Sequence, residues 1–379
     1  MLNRIEKIDV YCLQDPQADF VRFEGSYQNV VVVVTADNGM YGIGESDSPP
    51  QIIKALIEAP SYNHLSQGLA ALLIGEALDD PKRLWQKMYQ GSYWHGRNGA
   101  VIHAISALDI AIWDLFSRLN KVPLHHYFGE RKHKRLPAYA TIYPLADTED
   151  GIKAQIMPLL EKGMKRIKIC VEPWWSNFDK TRSNLNYLRH LVGRDIELML
   201  DVALEFNSLA QLKPFLSTLE ALDFKWIEAP FNLENLEDHI ALKQLTHIPI
   251  GVGDLGMTTC KEFLPYLEKQ SFDIAQPDIT LFGGVSEVIK LRGLMNKQNK
   301  RIVPHAYNTD ITIAVNSHFL STQNKQEPLE YSTSPSLLRQ HLIKNPYSID
   351  QDGMVTIDKE QDGLGIKLNW DIIQSCTTR

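Results

Sequence analysis

Cysteine is scarce in this chain. Four thiols, Cys12, Cys170, Cys260 and Cys376, are scattered over 379 residues. They are too few and too far apart for a disulfide framework, so a reduced, cytoplasmic protein is expected. An excess of positive charge is also lacking: 39 Lys and Arg face 46 Asp and Glu, for a net charge of −7. No electrostatic footprint for nucleic acid or an anionic membrane follows from that balance. The opening Met1-Leu-Asn-Arg-Ile-Glu-Lys-Ile-Asp has no apolar signal core. No apolar run reads as long enough to span a membrane, and no low-complexity linker divides the chain.

What is present is ordinary globular material, 44% hydrophobic and 22% charged, in a length that suggests two domains. Residues 1–125 read as an α+β unit. Asn29 to Thr35 carries five consecutive valines and predicts a strand. Asp37-Asn38-Gly39 is a hairpin turn signal, and Met40 to Gly44 returns. Helical patterns follow at 52–59, 65–74, 81–88 and 99–119. The last is the longest, with Ile102, Ile105, Leu108, Ile112 and Leu115 at helical spacing before Pro123.

A different beat occupies residues 126–335. Apolar segments at 136–142, 166–170, 196–201, 225–228, 248–254, 272–278, 301–305 and 328–332 alternate with helical patterns at 149–162, 180–192, 208–222, 235–245, 258–268, 284–298 and 310–322. Eight strands with seven helices predict an α/β fold, a modified TIM barrel of (β/α)7β type, with the first 125 residues as an α+β capping domain. Residues 336–379 lose the periodicity. Tyr347 to Ile357 reads as a small hairpin in a segment expected to pack back on the first domain.

Polar residues end five consecutive barrel segments: Asp201, Glu228, Asp254, Asp278 and His305, at steps of 27, 26, 24 and 27 residues. That is about one βα unit each, so all five should reach the barrel rim where active sites lie. Any one carboxylate alone fits a helix cap equally well. Asp201, Glu228 and Asp254 together, on adjacent strands, fit a hard-cation site, and oxygen-only donors favour Mg²⁺ over zinc. Asp278 and His305 fit a base with its orienting carboxylate, Asp278 taking the Nδ1 proton and leaving Nε2 basic.

Trp226-Ile-Glu228-Ala-Pro230, Gly251-Val-Gly-Asp254, Gln276-Pro-Asp278 with Gly283-Gly284, and Pro304-His305 occur in an order that resembles the enolase superfamily. Ala107-Leu-Asp-Ile-Ala-Ile-Trp-Asp-Leu115 resembles its capping domain. Asp278, five residues before the paired glycines, and His305 one unit later resemble the mandelate racemase branch, with its many sugar-acid dehydratases. The resemblance implies a Mg²⁺-dependent enzyme that stabilises an enediolate after the proton α to a carboxylate is removed. It implies that Lys168 sits near the substrate carboxylate and that Glu330 hydrogen-bonds it, which requires a proton on or shared with Glu330.

The chain departs from that pattern in three places. Cys170 stands where relatives carry the second lysine of Lys-X-Lys, the base of the opposite face; wall filler is the reading favoured for it. Ala203 replaces the Asn of Asp-X-Asn, and Asp254 replaces a customary Glu. One strong base favours dehydration of an acid sugar to a 2-keto-3-deoxy acid. A 2-hydroxy-acid racemase or epimerase, and a catalytically altered binding protein, are the alternatives. The expected partner is a small carboxylate, with no nucleic acid and no membrane, and the expected assembly is a homo-oligomer. Asp15–Ser26 and Glu45–Pro50 are candidate lids. Trp174 and Trp175 are candidate pocket walls.

Overall fold

The computed structural model describes residues 3–18, 27–254, 256–357 and 361–378. Its first sheet is antiparallel, of order β1 (Ile5–Gln14), β2 (Gln28–Ala36) and β3 (Tyr41–Ser46). The valines at 30–34 are all buried in β2, where β-branched side chains pack on both faces. Gly39, at φ 81°, supplies the left-handed turn. β1 is absent from the sequence expectations. Charged Glu6, Lys7 and Asp9 dilute its apolar signal, and its ladder to β2 shifts register between Ile5 and Lys7.

Helices α1 (Pro50–Glu58), α2 (Leu69–Leu73), α3 (Pro81–Gly91) and α4 (Ala100–Leu119) cover this sheet. Contrary to expectation, α4 is long and apolar enough to cross a membrane. Most of it is buried inside the protein, as the core helix of the cap. Gly42 and Gly44 let it lie directly on β3. A Cβ at either would collide with the carbonyl of Ala111 or Ala107.

After the single turn α5 (His125–Phe128), strands and helices alternate: β4 (Arg135–Ile142), α6 (Glu149–Glu161), β5 (Arg166–Cys170), α7 (Phe178–Val192), β6 (Glu197–Asp201), α8 (Leu209–Leu212) and α9 (Leu216–Ala221), β7 (Phe224–Glu228), α10 (Leu236–Leu245), β8 (Ile250–Val252), α11 (Phe263–Glu268), β9 (Ile274–Ala275), α12 (Gly284–Lys297), β10 (Arg301–Ile302), α13 (Asp310–Leu320) and β11 (Leu329–Ser332). The predicted helix at 208–222 is split, with a 3-10 turn over Lys213–Phe215 where Pro214 lacks the N–H an α-helix needs. The parallel ladder runs β10-β9-β8-β7-β6-β5-β4-β11, a curled sheet that matches a modified TIM barrel.

One seam is open: no ladder joins β10 to β11 among the described residues. Side chains span it instead. Arg301 pairs with Glu327 at 2.7 Å, and Glu330 accepts the Ala306 N–H at 2.8 Å. Tyr139, Met199, Trp226, Ile274 and Val303 fill the interior below the site as a separate apolar cluster.

The cap is docked by buried hydrogen bonds. Asp109 accepts from the Ser286 N–H (2.8 Å) and hydroxyl (2.7 Å), and Ser106 accepts from the Gly283 N–H (2.7 Å). Glu45 accepts from Thr309 Oγ1 (2.6 Å) and the Thr312 N–H (2.7 Å), so a cap carboxylate serves the first turn of α13.

The C-terminal segment divides. The hairpin forms, with a bridge between Ile349 and Val355, but β12 (Met354–Thr356) pairs antiparallel with β4 of the barrel rather than with the cap. α14 (Leu337–His341) precedes it. The later residues meet the cap: Leu364 N–H donates to Asp114 at 2.7 Å. Trp370, opening α15 (Trp370–Cys376), packs edge-on to Tyr11.

Candidate active site

Strand register assembles the site. Cys170 pairs with Asp201, Asp201 with Glu228, and a single bridge pairs Asp278 with His305. Asp201, Glu228 and Asp254 are buried, and each offers a ligand oxygen within 4.8 Å of the others. Glu228 is aimed by Trp226 Nε1–H (3.0 Å) and Gln276 Nε2–H, both on Oε2.

Lys168 is fully buried among carboxylates. Its Nζ contacts Glu228, lies 3.0 Å from Glu330 Oε1 and 3.4 Å from Asp201 Oδ2. Burial opposes its charge, but Glu228, Glu330 and Asp201 outweigh burial and hold its pKa well above the ordinary value. It is therefore a permanent ammonium.

One ammonium does not neutralise four buried carboxylates. Glu228 shows the strain: burial, with Asp201, Asp254 and Glu330 nearby, pushes its pKa up to about 8 against the pull of Lys168. Carboxylates so crowded are the donor set of a divalent cation, and the residues fit one.

The dyad is bedded in hydrogen bonds. His305 Nδ1 lies 2.8 Å from Asp278 Oδ2, while Asp278 Oδ1 accepts from the N–H and the hydroxyl of Thr280, each at 2.7 Å. Burial disfavours the imidazolium, but Glu330 and Asp278 overcome burial and raise the His305 pKa well above its usual value. Nε2 is directed at the site, 4.0 Å from Glu330 Oε2.

Glu330 is the most strongly compensated carboxylate of the group. Burial would raise its pKa, yet Lys168, His305 and hydrogen bonds from Thr141 and Ala306 hold it down at about 2. That direction favours the ionised form, with Oε1 and Oε2 as acceptors. A proton shared at that position has to arrive with the ligand.

Cys170 faces inward, Sγ 3.8 Å from Asp201 Oδ2. Burial and Asp201 push its thiol well above the ordinary value, so no thiolate base stands on that wall. Ala203, in the left-handed region at φ 49°, donates its N–H to Asp201 Oδ1 at 2.9 Å.

Several groups escaped the sequence reading. Asp47, inside the lid candidate Glu45–Pro50, donates its N–H to Thr280 Oγ1 at 3.2 Å. Burial and Asp278 push its carboxyl up to about 7. His103 sits 3.1 Å from Ser48 Oγ and is lowered to about 4 by burial. The signal was available: His103, Ser106 and Asp109 form a polar stripe at three-residue spacing on an otherwise apolar helix. Tyr143 at the end of β4 and Glu172 beyond β5 also border the mouth. Glu172, raised to about 7 chiefly by burial, accepts the Leu145 N–H at 3.0 Å.

The tryptophans do not line the site in any described contact. Trp175 packs on Phe215, and Trp174 Nε1–H donates to the Leu145 carbonyl at 3.1 Å. Of the other lid candidate, Asp15 accepts the Leu337 N–H at 2.7 Å, and residues 19–26 lie outside the described residues. Clefts of about 680 Å³ near Leu233 and 540 Å³ near Arg339 contain none of the groups above.

Comparison with known proteins agrees with this geometry. Residues 151–372 match the family model for the enolase C-terminal domain-like fold. Residues 14–129 match the N-terminal domain of mandelate racemase / muconate lactonizing enzyme. The D-galactarolactone cycloisomerase of Agrobacterium fabrum is 25% identical over 358 residues, covering 91% of this chain and 90% of that protein. The arabinonate dehydratase of Saccharolobus solfataricus is 26% identical over 302 residues, 78% of each. The crystal structure of the 3,6-anhydro-D-galactonate cycloisomerase from Zobellia galactanivorans superposes with a TM-score of 0.88 at 26% identity, covering 99% of this chain and 100% of that one.

Proposed function

Because this chain belongs to the enolase superfamily, in its mandelate racemase-like branch, we propose that it removes the proton α to a carboxylate and expels a β-hydroxyl, converting an acid sugar to its 2-keto-3-deoxy product. One arrangement carries the reading. A histidine–carboxylate dyad faces a buried three-carboxylate site, and a thiol stands where a second base would be.

His305 Nε2, once neutral, takes the α-proton while Asp278 keeps Nδ1–H in place. Lys168 stabilises the negative charge that moves onto the substrate carboxylate, in a site too enclosed for water to screen it. Asp201, Glu228 and Asp254 would hold the metal ion, and their oxygen-only donor set favours Mg²⁺. When bound, such an ion supplies Lewis-acid stabilisation of the enediolate. Glu330 orients the substrate carboxylate through a proton that arrives with the substrate.

A second reading is favoured by two of the compared proteins, which are cycloisomerases. Expulsion of a ring oxygen is the same β-elimination with a tethered leaving group. A 2-hydroxy-acid racemase or epimerase is less favoured, because Cys170 offers no strong second base. The intact dyad argues against a binding protein. We place the enzyme in the cytoplasm, without nucleic-acid or membrane partners, from its charge and scattered free thiols.

A panel of aldonic and aldaric acids and their cyclic forms, incubated with Mg²⁺ in D₂O, tests the reaction. Keto-acid release is expected, lost on chelation and restored by Mg²⁺. Keto acid from cyclic forms alone selects the second reading. α-Inversion without keto acid makes the protein a racemase. The absence of both exchange and product across the panel would contradict an enzymatic role.

A further inference from the structure

β-Elimination needs a proton for the departing hydroxyl, and strand alternation indicates its source. On β4, Tyr139 points inward, edge-on to Trp226 and beneath Lys168, and Thr141 points inward to donate to Glu330. Continued one residue past the strand end, that alternation makes Tyr143 the next inward position. The β4–β5 ladder pairs Thr141 with Lys168 and ends at Ile142 with Ile169, so Tyr143 follows just past the last pair, within electrostatic reach of Cys170. The two chains still run together beyond it, as the Leu145 N–H to Glu172 bond shows. Glu172, Cys170, Glu205 and Asp201 all act electrostatically on the phenol. The residue is 36% exposed, so its phenol is reachable by a substrate.

We propose that Tyr143 is the general acid that protonates the leaving β-hydroxyl on the Cys170 side of the mouth. The assignment rests on the hydro-lyase reading above and extends it. His305 Nε2 takes the α-proton, and the C–H pair moves toward the carboxylate. That pair then forms the Cα–Cβ double bond as the Cβ–O bond breaks, and the oxygen leaves as water with the Tyr143 proton. In the enol product, Cβ takes the proton held by His305. The enol hydroxyl returns its proton through solvent to the tyrosinate, so both groups are restored and no other reactant is consumed. Burial, then Glu172 and Cys170, hold the phenol above its ordinary value, so it is protonated at neutral pH and can give up its proton as charge develops on the leaving oxygen.

The neighbouring candidates are worse placed. Cys170 is short, buried and turned to Asp201, and Glu172 is turned to the Leu145 N–H. The small Cys170 leaves space over which the tyrosine can reach a substrate.

Tyr143→Phe tests this with the best substrate of the panel. Keto-acid release should fall by about 10²-fold or more, while His305-dependent exchange of the α-hydrogen in D₂O persists. Fluoride leaves without a proton, so the 3-deoxy-3-fluoro analogue should be turned over by the variant at close to the wild-type rate. Unchanged Mg²⁺ affinity and melting temperature show that the variant is folded. Wild-type keto-acid release by Tyr143→Phe overturns the assignment. So does joint loss of exchange and elimination, or a fluoro analogue that fails to restore turnover. The same phenotype in Glu172→Gln instead moves the role to Glu172. If the wild type itself yields no keto acid, the hydro-lyase reading falls and takes the assignment with it.

Discussion

The two walls of the mouth are built from the same βα unit and are chemically unlike. On the β9–β10 side, Asp278 accepts from His305 and twice from Thr280, and Thr280 in turn accepts from the cap at Asp47. These bonds hold Asp278 against His305, and the outcome is a histidine of fixed tautomer. On the β5–β6 side, Cys170 is buried with one weak contact, and Ala203 offers only its backbone. Equivalent strand ends thus place equivalent positions, and the side-chain choice at each decides which face can move a proton. The contrast teaches that barrel symmetry supplies locations, whereas chemistry resides in the hydrogen bonds behind each location.

The contrast breaks most visibly at His305. His305→Asn should lower kcat by about 10²–10⁴-fold, the worth of a positioned base. Mg²⁺ affinity measured by calorimetry should stay unchanged, since the ring lies outside the carboxylate triad. Wild-type turnover in this variant would remove the base from the wall that defines it.

The pH profile follows from the same wall. The groups facing the ring are Asp278, Asp47, Glu330 and Lys168, and the balance favours imidazolium. A base acts only when unprotonated. The rate should therefore climb with pH through a value above the ordinary 6.5 of histidine, falling about ten-fold per unit below it. The sign for stability is opposite. A raised folded pKa gives a contribution that is complete below the unfolded value and is lost as pH rises through the folded one. Activity should increase where this contribution to stability declines. A rate that is flat from pH 6 to 9 would show that the ring is already neutral.

On the other wall, Cys170→Ala should change turnover at most a few-fold. The side chain removed is a protonated thiol that no step uses. Loss of turnover with Mg²⁺ affinity and fold intact would give the thiol a catalytic role and erase the asymmetry.

Parts of this contrast were legible in sequence. The strand-end beat announced Asp201, Glu228, Asp254, Asp278 and His305, because each barrel strand repeats one length and one orientation. The valine run and Asp37-Asn38-Gly39 announced β2 and β3. Features that depend on neighbours distant in sequence were silent. Nothing near Glu330 reveals that Lys168 and Ala306 will hold it ionised. Tyr143 resembles any tyrosine until folding brings it within electrostatic reach of Cys170 and Asp201. β12 carries no mark that it will pair with β4 and not the cap. β1 was hidden for a local reason, since its exposed face carries Glu6 and Lys7 and its register slips there.

The smallest effect belongs to Ala203, and it concerns stability. Its φ of 49° is left-handed, and it is half-buried directly after the metal-site strand. A Cβ in that region crowds the following carbonyl, at roughly 1–2 kcal/mol per residue. Glycine removes the clash but widens the unfolded ensemble by a comparable free energy, about 0.4–1 kcal/mol. Ala203→Gly should therefore be close to neutral. Asparagine tolerates the left-handed region without that loss, so Ala203→Asn should stabilise the protein by about 1 kcal/mol or less. The Ala203 N–H to Asp201 bond is a backbone interaction and survives either change. Urea unfolding with metal chelated isolates the backbone effect from cation binding. A destabilised Ala203→Asn beside a neutral Ala203→Gly would mean that the amide meets a steric or polar barrier on the Cys170 wall. That wall would then be tighter than the one carrying His305, and the small residues there would be a requirement of space.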